Sequence, residues 1–277
     1  MILSPAGRRL LALSICSFAM AAGTSDGRIK PETARDFDCY IKSAEGRMNA
    51  RKAFLVAESD SSLNDQLVQG GRIQTLAPDG TNPHKLAGGQ LYDWIGSIFI
   101  PGANLDRLVQ MLQDYDHRAL YFPETIAASK LLCRTGPNRF RYTMRLKEPA
   151  ILDVESDVTW EQVDPQHWRC RSYSTDIQPV GKDRGYLRRL NSYWRFAAAE
   201  KGVYVEGETI TLSDEFGSMA RAFGSALLGI NPEKSLKHSL ESMRESILKP
   251  DLQIASPAEG LPECAEPFHP GSCVTGK

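Results

Sequence analysis

The residues best suited to chemistry fall into three groups. Asp114-Tyr115-Asp116-His117 brings two carboxylates and an imidazole within four positions, the residue types that carry protons near neutral pH. The same residues also suit a helix end, where their polar groups satisfy loose backbone, so proximity alone leaves both roles open. Glu206 and Glu208 share one face of a strand-like run with Tyr204, Ile210 and Leu212, while Val203, Val205, Thr209 and Thr211 take the other. Both faces have apolar members, so the inward side stays open. Turned inward, the two carboxyls would have raised pKa values and suit acid–base work. Arg141 and Arg145, Glu155 and Asp157, then Arg169 and Arg171 alternate in sign from one run to the next. Cross-strand ion pairs on a solvated face have this pattern. In the other reading some turn inward, Arg171 first, and a guanidinium meets the anionic head of a ligand.

Other chemistries lack their residues. No serine sits in a GxSxG elbow, and no phosphate-binding loop is present. No CxxC pair has zinc spacing and the five histidines are scattered, so no metal or cofactor is expected. With 33 basic and 34 acidic side chains the net charge is -1, which offers nucleic acid no electrostatic footprint. The 277 residues, 42% hydrophobic and 24% charged, suffice for one large domain or two small ones with a real core.

The N-terminus reads as an export signal, residues 1–21. Arg8 and Arg9 precede an apolar run from Leu10 to Met20, and Ala19-Met20-Ala21 has small residues at cleavage spacing. A periplasmic or secreted location is the expectation, and no stretch is long enough to cross a bilayer. Five cysteines follow this segment. Cys264 and Cys273 flank a Pro- and Gly-containing turn; they either form a local disulfide or remain free on the tail. Cys133 and Cys170 lie in apolar, strand-like surroundings that suit core thiols.

The elements that must position these groups follow from periodicity. Phe37, Tyr40, Ile41, Ala44 and Met48 mark a helix over about 30–57. Residues 58–90 are turn-rich, with a short strand at Arg72–Leu76. Trp94–Ile100 reads as a strand, then Asn104 caps a helix striped by Leu105, Leu108, Val109 and Leu112. A short helix or turn spans about 117–124. Six strand-like runs come next, at about 126–135, 138–147, 150–163, 166–177, 186–198 and 202–213, spaced for antiparallel hairpins. Phe216, Met219, Phe223 and Leu227 stripe a segment, 216–230, whose Gly217, Gly224 and Gly229 suit either a movable lid or a packed connector. Asn231 and Pro232 open a last helix with Leu236, Leu240, Met243 and Ile247 on one face. The fold class is therefore α+β, a curved antiparallel sheet of about seven strands wrapped around a C-terminal helix, with an N-terminal helical extension. One helix cannot fill the concave face of such a sheet, so an apolar pocket is expected between them.

Several stretches resemble the helix-grip fold of the START-like superfamily: Trp94-Ile95-Gly96 with Phe99-Ile100-Pro101-Gly102, LVQMLQDYDHRALYFPE from Leu108, YLRRLNSYWRF from Tyr186, VYVEGETITLS from Val203 and INPEKSLKHSLESMR from Ile230. They look closest to a group of exported or intracellular bacterial proteins related to polyketide cyclase-like members. The resemblance covers about 92–248 and implies a cavity for a hydrophobic or amphipathic molecule, with no fixed catalytic residues. The organisation expected is a signal at 1–21, an extension at 22–90, the START-like domain at 91–248 and a tail at 249–277. The pocket wall is expected to include Tyr142, Met144, Ser172, Trp194 and Phe223. The partner expected is a lipid- or polyketide-like molecule, with transient membrane contact and no nucleic acid, the chain acting as carrier or sensor. One rival is a cyclase- or hydratase-like enzyme using Glu206, Glu208 or His117 in the cavity. The other is an envelope interaction protein with a filled core.

Overall fold

The computed structural model describes residues 29–147, 150–181, 186–214, 231–255 and 262–264. The export segment, the stretch 216–230 with Phe223, and Cys273 lie outside these residues. Helix α1 (Pro31–Ala50) is followed by the short α2 (Val56–Ser59) and α3 (Ser61–Gly70). Strands β1 (Gln74–Leu76), β2 (His84–Leu86) and β3 (Gly89–Pro101) precede α4 (Leu105–Gln113), a 3-10 turn at Tyr115–His117 and α5 (Arg118–Tyr121). The long meander is β4 (Ile126–Gly136), β5 (Arg139–Leu146), β6 (Leu152–Asp164), β7 (His167–Pro179), β8 (Leu187–Ala199) and β9 (Gly202–Asp214). Helix α6 (Pro232–Ile247) closes the order.

Among the described residues these strands form one antiparallel sheet of nine, ordered β1-β3-β9-β8-β7-β6-β5-β4, with β2 also on β3. This is the expected sheet, joined on β3 by the short strand expected at Arg72–Leu76 and by β2, which was not expected. The turn-rich zone also holds α3, whose N-cap Asp60 accepts a hydrogen bond from Leu63 N at 3.0 Å. Its short amphipathic stripe is hidden in sequence by the surrounding glycines and polar residues.

Both faces of the sheet are covered at its β3–β9 side. On the convex face α1 sets Phe37, Ile41, Ala44 and Met48 against Leu91, Ile210 and Leu212. Farther along, Leu63 and Leu67 of α3 cover Phe99. On the concave face Leu236, Leu240, Met243 and Ile247 of α6 join Ile98, Ile100, Val203 and Val205 in the main core. Two glycines, paired in register as Gly96 on β3 and Gly207 on β9, make this approach feasible. A Cβ on Gly96 would lie 2.9 Å from Leu236 and Leu240 side-chain atoms of α6. A Cβ on Gly207 would lie 2.4 Å from the Trp194 ring. Helix α6 therefore seats where the sheet has no side chain.

The disulfide differs from the expected one. Cys264 bonds Cys133 of β4, not Cys273, and Cys133 is thus no core thiol. The reason is tertiary. The chain after α6 runs back over α4, where Leu252 O accepts from Arg107 Nη2 at 2.8 Å, and reaches the β4 edge. There Arg134 N donates to Pro262 O at 3.1 Å and Cys264 N to Arg134 O at 3.3 Å. This covers part of an otherwise open sheet edge. Cys39 is also disulfide-bonded, and Cys170 is a buried free thiol. No described helix is long and apolar enough to cross a membrane.

Leu240 is fully buried under the seat of α6, so Leu240→Ala should lower the unfolding free energy by about 2–5 kcal/mol. The Cys133–Cys264 bond closes a separation of 131 residues, and Cys264→Ser should cost about 2–5 kcal/mol. Urea titrations of the oxidised proteins measure both.

Candidate functional site

Away from its seat on β3, α6 leaves space over the rest of the concave face. The result is a cavity of about 230 Å3. Tyr142 and Met144 of β5, Val158 and Trp160 of β6, Cys170 and Ser172 of β7, and Ser192, Trp194 and Phe196 of β8 form its floor. Leu236, Ser239 and Met243 of α6 roof it, and Leu112, Arg118 and Phe122 add to its lining. Alternation along each strand sends these side chains to one face.

The floor has internal order. Ser172, Ser192 and Thr209 are register partners across β7, β8 and β9, so three small hydroxyl side chains cross it in a row and leave volume above them. The neighbouring row is Trp160, Cys170, Trp194 and Gly207. Gly207 gives the Trp194 indole room to lie over β9. Trp160 stacks on Phe196 with ring centres 5.7 Å apart, and its Nε1 donates to Tyr115 Oη at 2.7 Å. Tyr115 in turn stacks on Tyr142 at 4.6 Å. These contacts make the aromatic wall rigid.

No aspartate, glutamate, histidine or lysine lines the cavity among the described residues. Burial pushes the Cys170 thiol up to about 12, against the lowering effect of Arg118, so it stays a neutral thiol. No described cluster of three or more His, Cys, Asp or Glu could hold a metal ion.

Of the residues expected on the wall, Tyr142, Met144, Ser172 and Trp194 all line this cavity, and Phe223 lies outside the described residues. Sequence reasoning missed Arg118. Its only signal was a place four residues before Phe122 in a short apolar helix.

The other candidates lie elsewhere. Glu206 and Glu208 are buried, 4% and 5% exposed, but on the convex face beneath α1. Glu206 accepts from Arg51 Nη2 at 2.5 Å and from Val56 N at 2.6 Å. Glu208 accepts from Arg47 Nη2, which also donates to Asp93 Oδ2 at 3.1 Å. Arg47 and Arg51 belong to the N-terminal helix and its end, so these acids anchor that helix to the sheet. Asp114 is buried and accepts from Tyr121 Oη at 2.6 Å and Ala255 N at 3.2 Å. Its other oxygen lies 2.8 Å from Nδ1 of the half-exposed His117. That cluster ties the helix end to the returning chain and does not reach the cavity. Arg171 stands on the convex side near Glu45 and Met48. Cross-strand ion pairs do form: Arg141 grips Asp157, Arg145 grips Asp153 and Arg169 grips Glu161, each through two hydrogen bonds.

No family model matches the chain, and no curated protein matches it. Solved structures do. A fragment of a STAR-related lipid transfer protein from Xanthomonas axonopodis aligns at 17% identity, covering 60% of this chain and 97% of that one, with a TM-score of 0.44. Human STARD10 aligns at 13% identity, covering 71% and 83%, with a TM-score of 0.41. The di-domain ARO/CYC BexL of the BE-7585A biosynthetic pathway aligns at 14% identity, covering 56% of this chain and 49% of that one, with a TM-score of 0.41.

The convex acids make a pH prediction. Burial first, then the charge of Asp93, raises Glu208 from 4.5 to about 8, against the opposing charge of Arg47; Glu206 adds a smaller upward push. Between those values the folded chain holds a proton that the unfolded chain has lost. Stability should therefore fall as pH rises from about 5 to 8. Glu208→Gln should flatten that slope in thermal melts taken across the range, with Arg47, Tyr40 and Asp93 left in place around it.

Proposed function

We propose that this chain binds a hydrophobic or amphipathic small molecule between the sheet and α6, as a carrier or sensor. The observation that supports this most is the cavity itself: about 230 Å3, walled by Tyr142, Met144, Trp160, Trp194 and Phe196. An engineered apolar cavity of about 150 Å3 holds benzene, so this one has room for on the order of ten heavy atoms. Burying apolar ligand surface there would supply about 25 cal/mol per Å2, and the hydroxyl row would orient polar atoms. The residues that suit proton transfer, Glu206, Glu208 and His117, are committed to structural contacts outside the cavity. That favours binding over acid–base turnover. The Cys133–Cys264 disulfide and the N-terminal sequence together support an oxidising compartment, periplasmic or extracellular.

Native mass spectrometry of the chain purified from an oxidising compartment, followed by organic extraction, tests the reading. A reproducible apolar or amphipathic mass should accompany the wild type. Ser192→Phe fills the floor at the hydroxyl row and should remove that mass while near-ultraviolet circular dichroism keeps its folded shape. Equal retention by the folded variant would count against the cavity as the site.

A further inference from the structure

Arg118 is the one charged side chain among the described residues that line the apolar cavity. Its Nη2 donates to Leu112 O at 2.8 Å. Its Nε is shielded from solvent and has no hydrogen-bond partner. No carboxylate lies within 4.0 Å of it among the described residues, whereas Arg47, Arg51, Arg141, Arg145 and Arg169 each hold one. The acids nearest in sequence are spent elsewhere: Asp114 on Tyr121, His117 and Ala255, and Asp116 on Leu131 N at 3.0 Å. The guanidinium carbon sits 4.8 Å from the Tyr115 ring centre and 5.1 Å from that of Tyr142. Both rings lie within cation–π range of it.

We propose that Arg118 receives the anionic group of the ligand. The inference rests on the cavity-binding reading above and adds the ligand's charge and orientation. A guanidinium cannot shed its proton, so a half-desolvated, unpaired one is a standing cost that an entering anion relieves. Its fork fits a carboxylate or a phosphate monoester through two parallel bonds. The apolar floor and the roof of α6 then take the hydrocarbon. The ligand class is a single-chain or small-ring amphipath carrying one anionic group.

Tryptophan fluorescence reads the test, because Trp160 and Trp194 line the cavity. Decanoate, decyl phosphate and 1-decanol share a chain length and differ in head group. The wild type should bind at least one of the two anions at least tenfold more tightly than the alcohol, and the tighter anion names the head-group type. Arg118→Gln should erase that preference and leave 1-decanol binding within about threefold of wild type. Wild-type binding of all three with equal strength would overturn the role of Arg118 and leave the cavity reading intact. Binding of none would overturn both. The wild-type comparison needs no variant, so it decides even if Arg118→Gln fails to fold.

Discussion

The missing side chains at Gly96 and Gly207 set the arrangement of everything on the concave face. Helix α6 comes closest to the sheet where Leu236 and Leu240 find bare backbone at Gly96. A helix held close at one side of a curved, twisted sheet stands away from the other. The strands it leaves uncovered, β5 to β8, become a floor. Gly207, directly opposite Gly96, lets Trp194 lie over the adjacent strand and wall that floor. The cavity is the geometric remainder of a tight contact elsewhere, and it stays open because the aromatic wall is braced by stacking and by the Trp160–Tyr115 hydrogen bond.

The sheet also sorts polarity by face. Buried acids are tolerated only with partners, and the convex face supplies them: Arg47 for Asp93 and Glu208, Arg51 for Glu206. Tyr173 and Tyr193 hydroxyls donate to Glu45 of α1 at 2.6 and 3.0 Å, continuing the same polar seam. Helix α1 is therefore held to the sheet by an apolar stripe and by charges that fix its register. Concave positions carry hydroxyls and aromatics instead, which need fewer partners. An acid on that side would have lacked a cation, apart from Arg118.

What was legible in the sequence follows from how local each signal is. Alternation in β5, Phe140 to Leu146, put Tyr142 and Met144 on the right face because only one side of that strand is packed. The meander, the Asn104 and Asn231 caps and the α6 stripe were equally local, and they appear within a residue or two of expectation. Alternation failed to orient β9 because both of its faces are buried: Val203 and Val205 under α6, Ile210 and Leu212 under α1. A strand covered on both sides loses the polar stripe that identifies its outside, so Glu206 and Glu208 could not be assigned. Cys133–Cys264 was illegible for a different reason. It depends on where the chain after α6 travels, which no spacing near either cysteine encodes.

Arg118 shows the limit of reading charge by segment. The run from Asp114 to His117 draws attention as a cluster of proton carriers, yet each of its side chains is turned to structural use. The acids hold Tyr121, Ala255 and Leu131, and the tyrosine braces Trp160. Their commitment is what leaves the next residue unpaired. Had either Asp114 or Asp116 faced the guanidinium, the cavity lining would be electrically neutral and would offer an anion nothing. Because both are held away by backbone and hydroxyl donors, the positive charge remains among the Tyr115, Tyr142 and Phe122 rings. The cluster thus shapes the site by withholding its own acids from it.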